Sequence, residues 1–294
     1  MRLGALEAGG TKMVCAIGDE HGNVFERESF PTLMPEETMP NIIAYFKERN
    51  IEALGISSFG PLNLDEKSPE YGNITTTPKP GWKDFPLRKT LFEALNVPVG
   101  IDTDVNGAAL SEALIGAGKG SDSLVYYTIG TGIGGGAIVE GKLLHGLVHP
   151  EMGHMLLRPV ENDPTPKGFC PYHDGCLEGM ANGPAIEKRW GVSAKDLPED
   201  HIAWDIEAEY LAQMCVNTIV TLSPKKIVLG GGVMHQLHLF PKIRKRTLEL
   251  LNGYVAHKAI LEDIDNYIVP PALGDNAGAA GSLLLAVEAL KAAE

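Results

Sequence analysis

Cysteine is sparse in this 294-residue chain: there are four, Cys15, Cys170, Cys176 and Cys215. Two sit inside apolar segments and two in a Gly- and Pro-flanked loop, which argues against a disulfide framework and suits a reducing compartment. Positive charge is also short, with 25 Lys and Arg against 38 Asp and Glu and a net charge of -13. That balance argues against a nucleic-acid or anionic-membrane surface, so any phosphorylated ligand needs local amides, a lysine or a cation. No apolar run is long enough to span a bilayer, and the first ten residues lack a signal-peptide pattern, so the expected location is cytoplasmic. A full P-loop pattern is missing too. What is present is 44% hydrophobic residues over a length that suggests about two domains.

The densest chemistry lies at 146–180, where Glu151-x-x-His154 precedes Cys170-x-x-His173-x-x-Cys176. This run lacks helical or strand periodicity, so something other than a core must hold it. Zinc takes thiolate sulfur and imidazole nitrogen tetrahedrally; Cys170, His173 and Cys176 offer three ligands and His154 is the expected fourth. Four protein ligands leave no open position, which makes the metal structural. A redox pair is the weaker reading, because the cysteines are not spaced Cys-x-x-Cys.

Read in order, 2–17 predicts two strands around a Gly9-Gly10-Thr11-Lys12 tip. Such a tip can offer amides, a hydroxyl and an ammonium to phosphate, with Glu7 able to hold hydrated magnesium; a plain tight turn is the alternative. A helix is expected at 41–49 and a strand at 53–58, followed by an irregular loop at 62–85. Its Asn73, Thr75 and Trp82 suit either a sugar-facing loop or a surface connection. A strand at 97–101 ends at Asp102-Thr103-Asp104, where Asp104 is a candidate general base or a helix cap. A strand at 123–129 runs into Gly130-Thr131-Gly132-Ile133-Gly134-Gly135-Gly136, with the return strand expected at 137–140. So many glycines are explained if amides approach an anion closely. The two strand, Gly-Thr turn, strand units hint at a duplicated plan. Helices are expected from 182–184 and at 208–222, a strand at 227–233 ends in Gly230-Gly231-Gly232, which lets a flat base or sugar lie on bare backbone, and a last helix is expected at 279–292.

Together, LEAGGTK at 6–12, DTDVNGAALSEA at 102–113, GTGIGGG at 130–136, HPEMGH at 149–154, CPYHDGCLEG at 170–179 and VLGGGV at 228–233 resemble the ROK family of sugar kinases, and most closely its bacterial fructokinase branch. The resemblance implies an α/β, actin-like ATPase (ribonuclease H-like) fold with two α/β domains around a central cleft. One would cover 1–117 with a C-terminal helix at 278–294 packing back on it, the other 118–277 with the zinc-binding loop. It implies a homodimer and ATP-dependent phosphorylation of a hexose, with fructose favoured, and magnesium beside the structural zinc. ATP and ADP phosphates would lie on Gly9, Gly10, Thr11 and Lys12 and on Gly130, Thr131, Gly132 and Gly134, with adenosine near Pro184, Gly231 and Gly232. By the same resemblance Asp104 is the catalytic base and Glu151 and His154 line the sugar site, with Asn73 and Thr103 as further substrate-binding candidates. His154, Cys170, His173 and Cys176 would bind zinc, and His154 is assigned to the metal first.

Many family members carry Asp at the place of Glu7, Asn at the place of Thr103 and a Cys-x-Cys-Gly-x-x-Gly-Cys cluster. The last two departures match the fructokinase branch. A kinase for mannose, glucose or N-acetylmannosamine, or a non-catalytic sugar sensor, is the alternative. A repressor of this family would need a DNA-binding helical module ahead of the first hairpin.

Overall fold

The computed structural model describes residues 1–293, which form two compact units. The first comprises Met1–Lys119, Leu143–Pro150 and the chain from Asp275 onward. Its elements are β1 (Leu3–Ala8), β2 (Lys12–Gly18), β3 (Val24–Pro31), α1 (Pro35–Arg49), β4 (Ala53–Ser58), α2 (Leu87–Leu95), β5 (Val99–Thr103) and α3 (Asp104–Leu114). The sheet order is β3-β2-β1-β4-β5. Strands β1, β2 and β3 pair antiparallel, whereas β4 and β5 run parallel to β1.

The parallel part is buried, and β4 is buried along its whole length, as the apolar run 53–56 requires. One sheet face meets Ile42, Phe46, Trp82 and Leu91, and the other meets Leu283 and Ala286 of the C-terminal helix. Helix α1 begins earlier than the expected 41–49 because Pro35 serves at its start, Glu36 and Glu37 suit its first turn, and Asn50 ends it in the left-handed conformation. Trp82 departs from the sugar-facing expectation. It is 0% exposed, its indole N–H donates to Leu33 O at 2.7 Å, and its ring meets Phe59 and Phe85 edge-on.

Register decides what this sheet presents at its edge. Ala8 is level with Ser58 and Ser58 with Thr103, so Gly9, Phe59 and Asp104 all leave the sheet at the same edge. At about 4.8 Å between strands, the glycine tip and the start of α3 are roughly 10 Å apart along that edge.

The second unit comprises Gly120–Lys142 and Glu151–Gly274. It holds β6 (Leu124–Ile129), β7 (Ile133–Val139), β8 (Lys142–Leu143, at the unit boundary), α4 (Leu177–Ala181), α5 (Gly183–Trp190), α6 (Ala203–Leu222), β9 (Ile227–Gly230), α7 (Leu239–Leu251), α8 (Lys258–Leu261), α9 (Ile264–Tyr267) and β10 (Ile268–Val269). Its sheet order, β10-β9-β6-β7-β8, repeats the first plan: a hairpin with one further strand outside β7 and two parallel strands beside β6. The return strand β7 starts at Ile133, not at 137, and takes Gly134, Gly135 and Gly136 into the ladder. Gly135 is there for packing, since a Cβ at that position would lie 2.8 Å from the Tyr127 ring and 3.0 Å from Met152 Cβ. The chain closes with α10 (Ala277–Ala293) on the first sheet. Among the described residues no helix is long and apolar enough to cross a membrane.

Candidate active site and metal cluster

At the end of β5 three consecutive polar residues divide the work that the sequence left open among them. Thr103 is the helix cap: buried, it accepts from Asn106 N at 3.1 Å through Oγ1, which turns its side chain to the helix start. Asp102 lies within the strand, 3% exposed, and accepts from Thr103 N at 2.7 Å and Asn106 Nδ2 at 2.8 Å. Its second oxygen meets His145 Nε2 at 2.7 Å, and that hydrogen bond raises the imidazole pKa. Asp104 is the first helical residue and is exposed, its Oδ1 accepting from Val105 N at 2.9 Å. The segment carrying His145 is pinned again at His149, whose Nε2 accepts from Leu62 N at 3.1 Å.

The first glycine tip is a closed turn. Gly9 N donates to Lys12 O at 3.0 Å, and Thr32 holds the tip through Oγ1 to Gly9 O at 2.7 Å and N to Thr11 O at 3.0 Å. Gly9 therefore shapes the turn with its amide, while Gly10 and Thr11 form the tip. Lys79 donates through Nζ to Gly10 O from the long 62–85 loop. Beneath the tip, Glu7 is mostly buried and its Oε1 has no hydrogen-bond partner. Burial pushes its carboxyl pKa up, against the opposing charges of Arg27 and Lys12.

In the second unit the glycine segments meet. Gly130 N donates to Gly132 O at 2.9 Å to close the turn, and Gly183 N, beside Pro184, donates to Gly130 O at 2.8 Å. A Cβ at Gly130 would lie 3.7 Å from Gly232 N. Gly231 has φ of 91°, and a Cβ there would sit 2.5 Å from Ile129 N, so its residue type is dictated by both conformation and space. Thus Gly130, Thr131, Gly132, Pro184, Gly231 and Gly232 come together, while Gly134 lies in β7 opposite Thr128 and outside the turn.

The four proposed metal ligands converge. Among the described residues, His154, Cys170, His173 and Cys176 offer ligand atoms that all lie within 4.8 Å of one another. His154 Nδ1 is 3.9 Å from Cys170 Sγ and 3.7 Å from Cys176 Sγ, and His173 Nδ1 is 3.6 Å from Cys170 Sγ. A tetrahedral zinc with its usual bond lengths needs edges of about 3.4–3.8 Å, so the donor set fits. Burial, with Cys170 and Glu178 beside it, raises the Cys176 thiol to about 11, an arrangement that a cation would relieve. Nδ1 of His154 is turned to the sulfurs, leaving Nε2 as its atom for any other role. Glu151 is exposed, and its carbonyl accepts from His154 N at 2.9 Å, so the pair shares one tight turn. Asn73 is held by its main chain, its N donating to Glu70 O at 3.0 Å and its O accepting from Asn63 N at 2.9 Å.

Comparison with known proteins follows the same lines. The chain is similar to a fructokinase of Pediococcus pentosaceus, 50% identical over 99% of each chain, and to one of Zymomonas mobilis, 44% identical over 97% of this chain and 96% of the relative. Among solved structures, the ROK hexokinase of Thermus thermophilus aligns with a TM-score of 0.80 and 27% identity, covering 99% of this chain and 100% of that one. The ROK family pattern matches residues 3–289, and this chain belongs to the ROK family, with an α/β actin-like sugar kinase fold.

Proposed function

We propose that this protein is an ATP-dependent fructokinase that converts D-fructose to fructose 6-phosphate, with Asp104 as general base. The observation that carries the residue assignment is the shared sheet edge: an exposed carboxylate opens α3 two strands from a closed, lysine-bearing glycine turn. The identity of 42% to 51% with proteins named as fructokinases, over nearly the whole chain, supports the substrate.

Phosphoryl transfer needs positioning and charge neutralisation more than covalent help from the protein. The sugar hydroxyl oxygen attacks the γ-phosphorus, the bond to ADP breaks, and Asp104 accepts the hydroxyl proton. Amides of Gly10 and Thr11, with the ammonium groups of Lys12 and Lys79, suit phosphate oxygens at the first turn. Thr131 and Gly132 suit them at the second, and Pro184, Gly231 and Gly232 form a bare backbone surface for a flat base. Magnesium bound with the nucleotide would neutralise phosphate oxygens. Glu7, with its buried unpartnered Oε1, is the residue that fits holding its hydration shell. Glu151 and the Nε2 atom of His154 are the groups offered to sugar hydroxyls. The Cys/His cluster holds structural zinc, and the assembly is a homodimer.

The test is ADP release coupled to a spectrophotometric readout, with magnesium-ATP and fructose, mannose, glucose or N-acetylmannosamine. Release that depends on fructose above the other sugars is expected. No sugar-dependent release from folded, zinc-loaded protein would overturn the assignment.

A further inference from the structure

In the first unit, Lys79 is presented to the glycine turn by a rigid support. Its main chain opens a type II turn: Trp82 N donates to Lys79 O at 3.2 Å, Pro80 takes the second place, and Gly81, with φ of 78°, takes the third. Thr77 Oγ1 accepts from Lys79 N at 3.3 Å on the other side. Trp82 anchors this turn, since its buried indole donates to Leu33 O at 2.7 Å. Leu33 follows Thr32, which pins Gly9 and Thr11. The turn that carries Lys79 and the turn it reaches thus hang on two adjacent residues.

The charge of Lys79 is unanswered. Its Nζ donates to a neutral carbonyl, Gly10 O, and among the described residues it forms no ion pair. Lys12 differs, because its charge acts on the Glu7 carboxyl beneath the turn. A carbonyl holds an ammonium more weakly than a phosphoryl oxygen does, so the Lys79 head leaves Gly10 O when such an oxygen arrives. Its four-carbon stem lets the head swing without moving the turn. The sheet edge indicates which phosphate fits there. A line from the base carboxylate through the sugar hydroxyl, the attacked phosphorus and a phosphoryl oxygen to a turn amide spans about 10 Å at ordinary hydrogen-bond and near-attack distances. That matches the roughly 10 Å between the glycine tip and the start of α3, so the γ-phosphoryl, which ADP lacks, is the group that suits the first turn.

We propose that Lys79 is a further catalytic residue, which exchanges Gly10 O for a γ-phosphoryl oxygen when ATP binds and stays on it through transfer. The sugar oxygen bonds to the γ-phosphorus, the bond from that phosphorus to the ADP oxygen breaks, and the hydroxyl proton passes to Asp104. Lys79 keeps its own protons and supplies positive charge to the oxygens of the moving group. The role rests on the reading of Asp104 as the base of an ATP-dependent kinase, and adds that one side chain tells ATP from ADP.

The experiment compares wild type, Lys79→Met and Lys79→Arg as zinc-loaded full chains with magnesium. Fructose-dependent ADP release gives kcat, and titration calorimetry gives the affinity for ADP and for the β,γ-imido analogue of ATP. Lys79→Met should lower kcat about 10²–10³-fold, the scale for removing one donor from a charge-developing group. It should weaken the analogue about tenfold or more while ADP affinity stays within about twofold. Lys79→Arg restores the charge and should recover kcat to within about tenfold of wild type. A kcat for Lys79→Met within about threefold of wild type would overturn the catalytic role. Equal weakening of ADP and the analogue would overturn it too, by making Lys79 a support of the turn. Wild-type protein that releases no ADP with any sugar would instead overturn the kinase reading, and the role of Lys79 with it.

Discussion

Asp102 offers the sharpest quantitative check, because its carboxylate is 4% exposed and serves three partners at once. Substitution by Ala leaves Thr103 N and the Asn106 amide without their acceptor in a buried setting. At about 1–3 kcal/mol for each of the two unsatisfied donors, the loss should be roughly 2–6 kcal/mol. Asp102→Asn keeps an oxygen for both donors and loses only the charge facing His145, so it should cost much less. The pH dependence separates the two parts. His145 has a folded pKa raised by its hydrogen bond to Asp102, so this pair's stabilisation is fully present below the unfolded value near 6.5 and is lost as pH rises through the folded pKa. The gap between wild type and Asp102→Asn should therefore be widest in mild acid and narrow above it. The His145 ring is 41% exposed, so solvent screening keeps that part modest. Urea unfolding of the three proteins from pH 5.5 to 9 measures it. A loss below about 1 kcal/mol for Asp102→Ala, or a gap to Asn that is flat with pH, refutes the reasoning.

Asp104→Asn should lower kcat by about 10²–10⁴ while leaving fructose affinity near wild type, since only the proton acceptor is removed; isothermal titration beside the coupled assay tests both halves. Glu207 is fully buried with both carboxylate oxygens unpartnered, and burial holds its pKa well above the usual carboxylate value. A raised carboxyl pKa means stability is lost as pH rises from the unfolded value towards the folded one. Glu207→Gln should thus gain on wild type as pH rises above the unfolded carboxyl value, by up to about 1.4 kcal/mol per pH unit until the folded group ionises, and an equal difference in melting temperature at pH 4 and pH 8 would disprove it. Metal analysis of purified protein should find about one zinc per chain, and Cys176→Ser should lose it together with thermal stability; full zinc occupancy in that variant would remove Cys176 from the ligand set.

Residue types that carry chemistry were legible because their spacing along the chain is local. A Gly-Thr turn between apolar strands, a Cys-x-x-His-x-x-Cys run and an Asp at a strand end each declare a small motif, and three of the four proposed metal ligands fall within seven residues. Boundaries were less legible where packing overrides propensity. Gly134 to Gly136 looked like a loop, yet they form a strand because Tyr127 and Met152 fill the space that side chains would need. Trp82 sat in a stretch that suited either a sugar-facing loop or a surface connection, but only the fold reveals that its N–H donates to Leu33 O and that Phe59 and Phe85 pack against its ring.

By itself the sequence determined the family, the duplicated hairpin plan, the Cys/His cluster and the candidate base. These depend on short-range pattern and on residues whose chemistry has few substitutes. Tertiary structure alone decided which of Asp102, Thr103 and Asp104 caps, which is buried and which is exposed, since strand register and the approach of His145 set those roles. It also decided that Lys79 reaches Gly10 across 69 positions and Glu178 reaches Ile133 across 45. Pairings at such separation leave no periodicity in the chain, because they arise only when strands and helices are already packed.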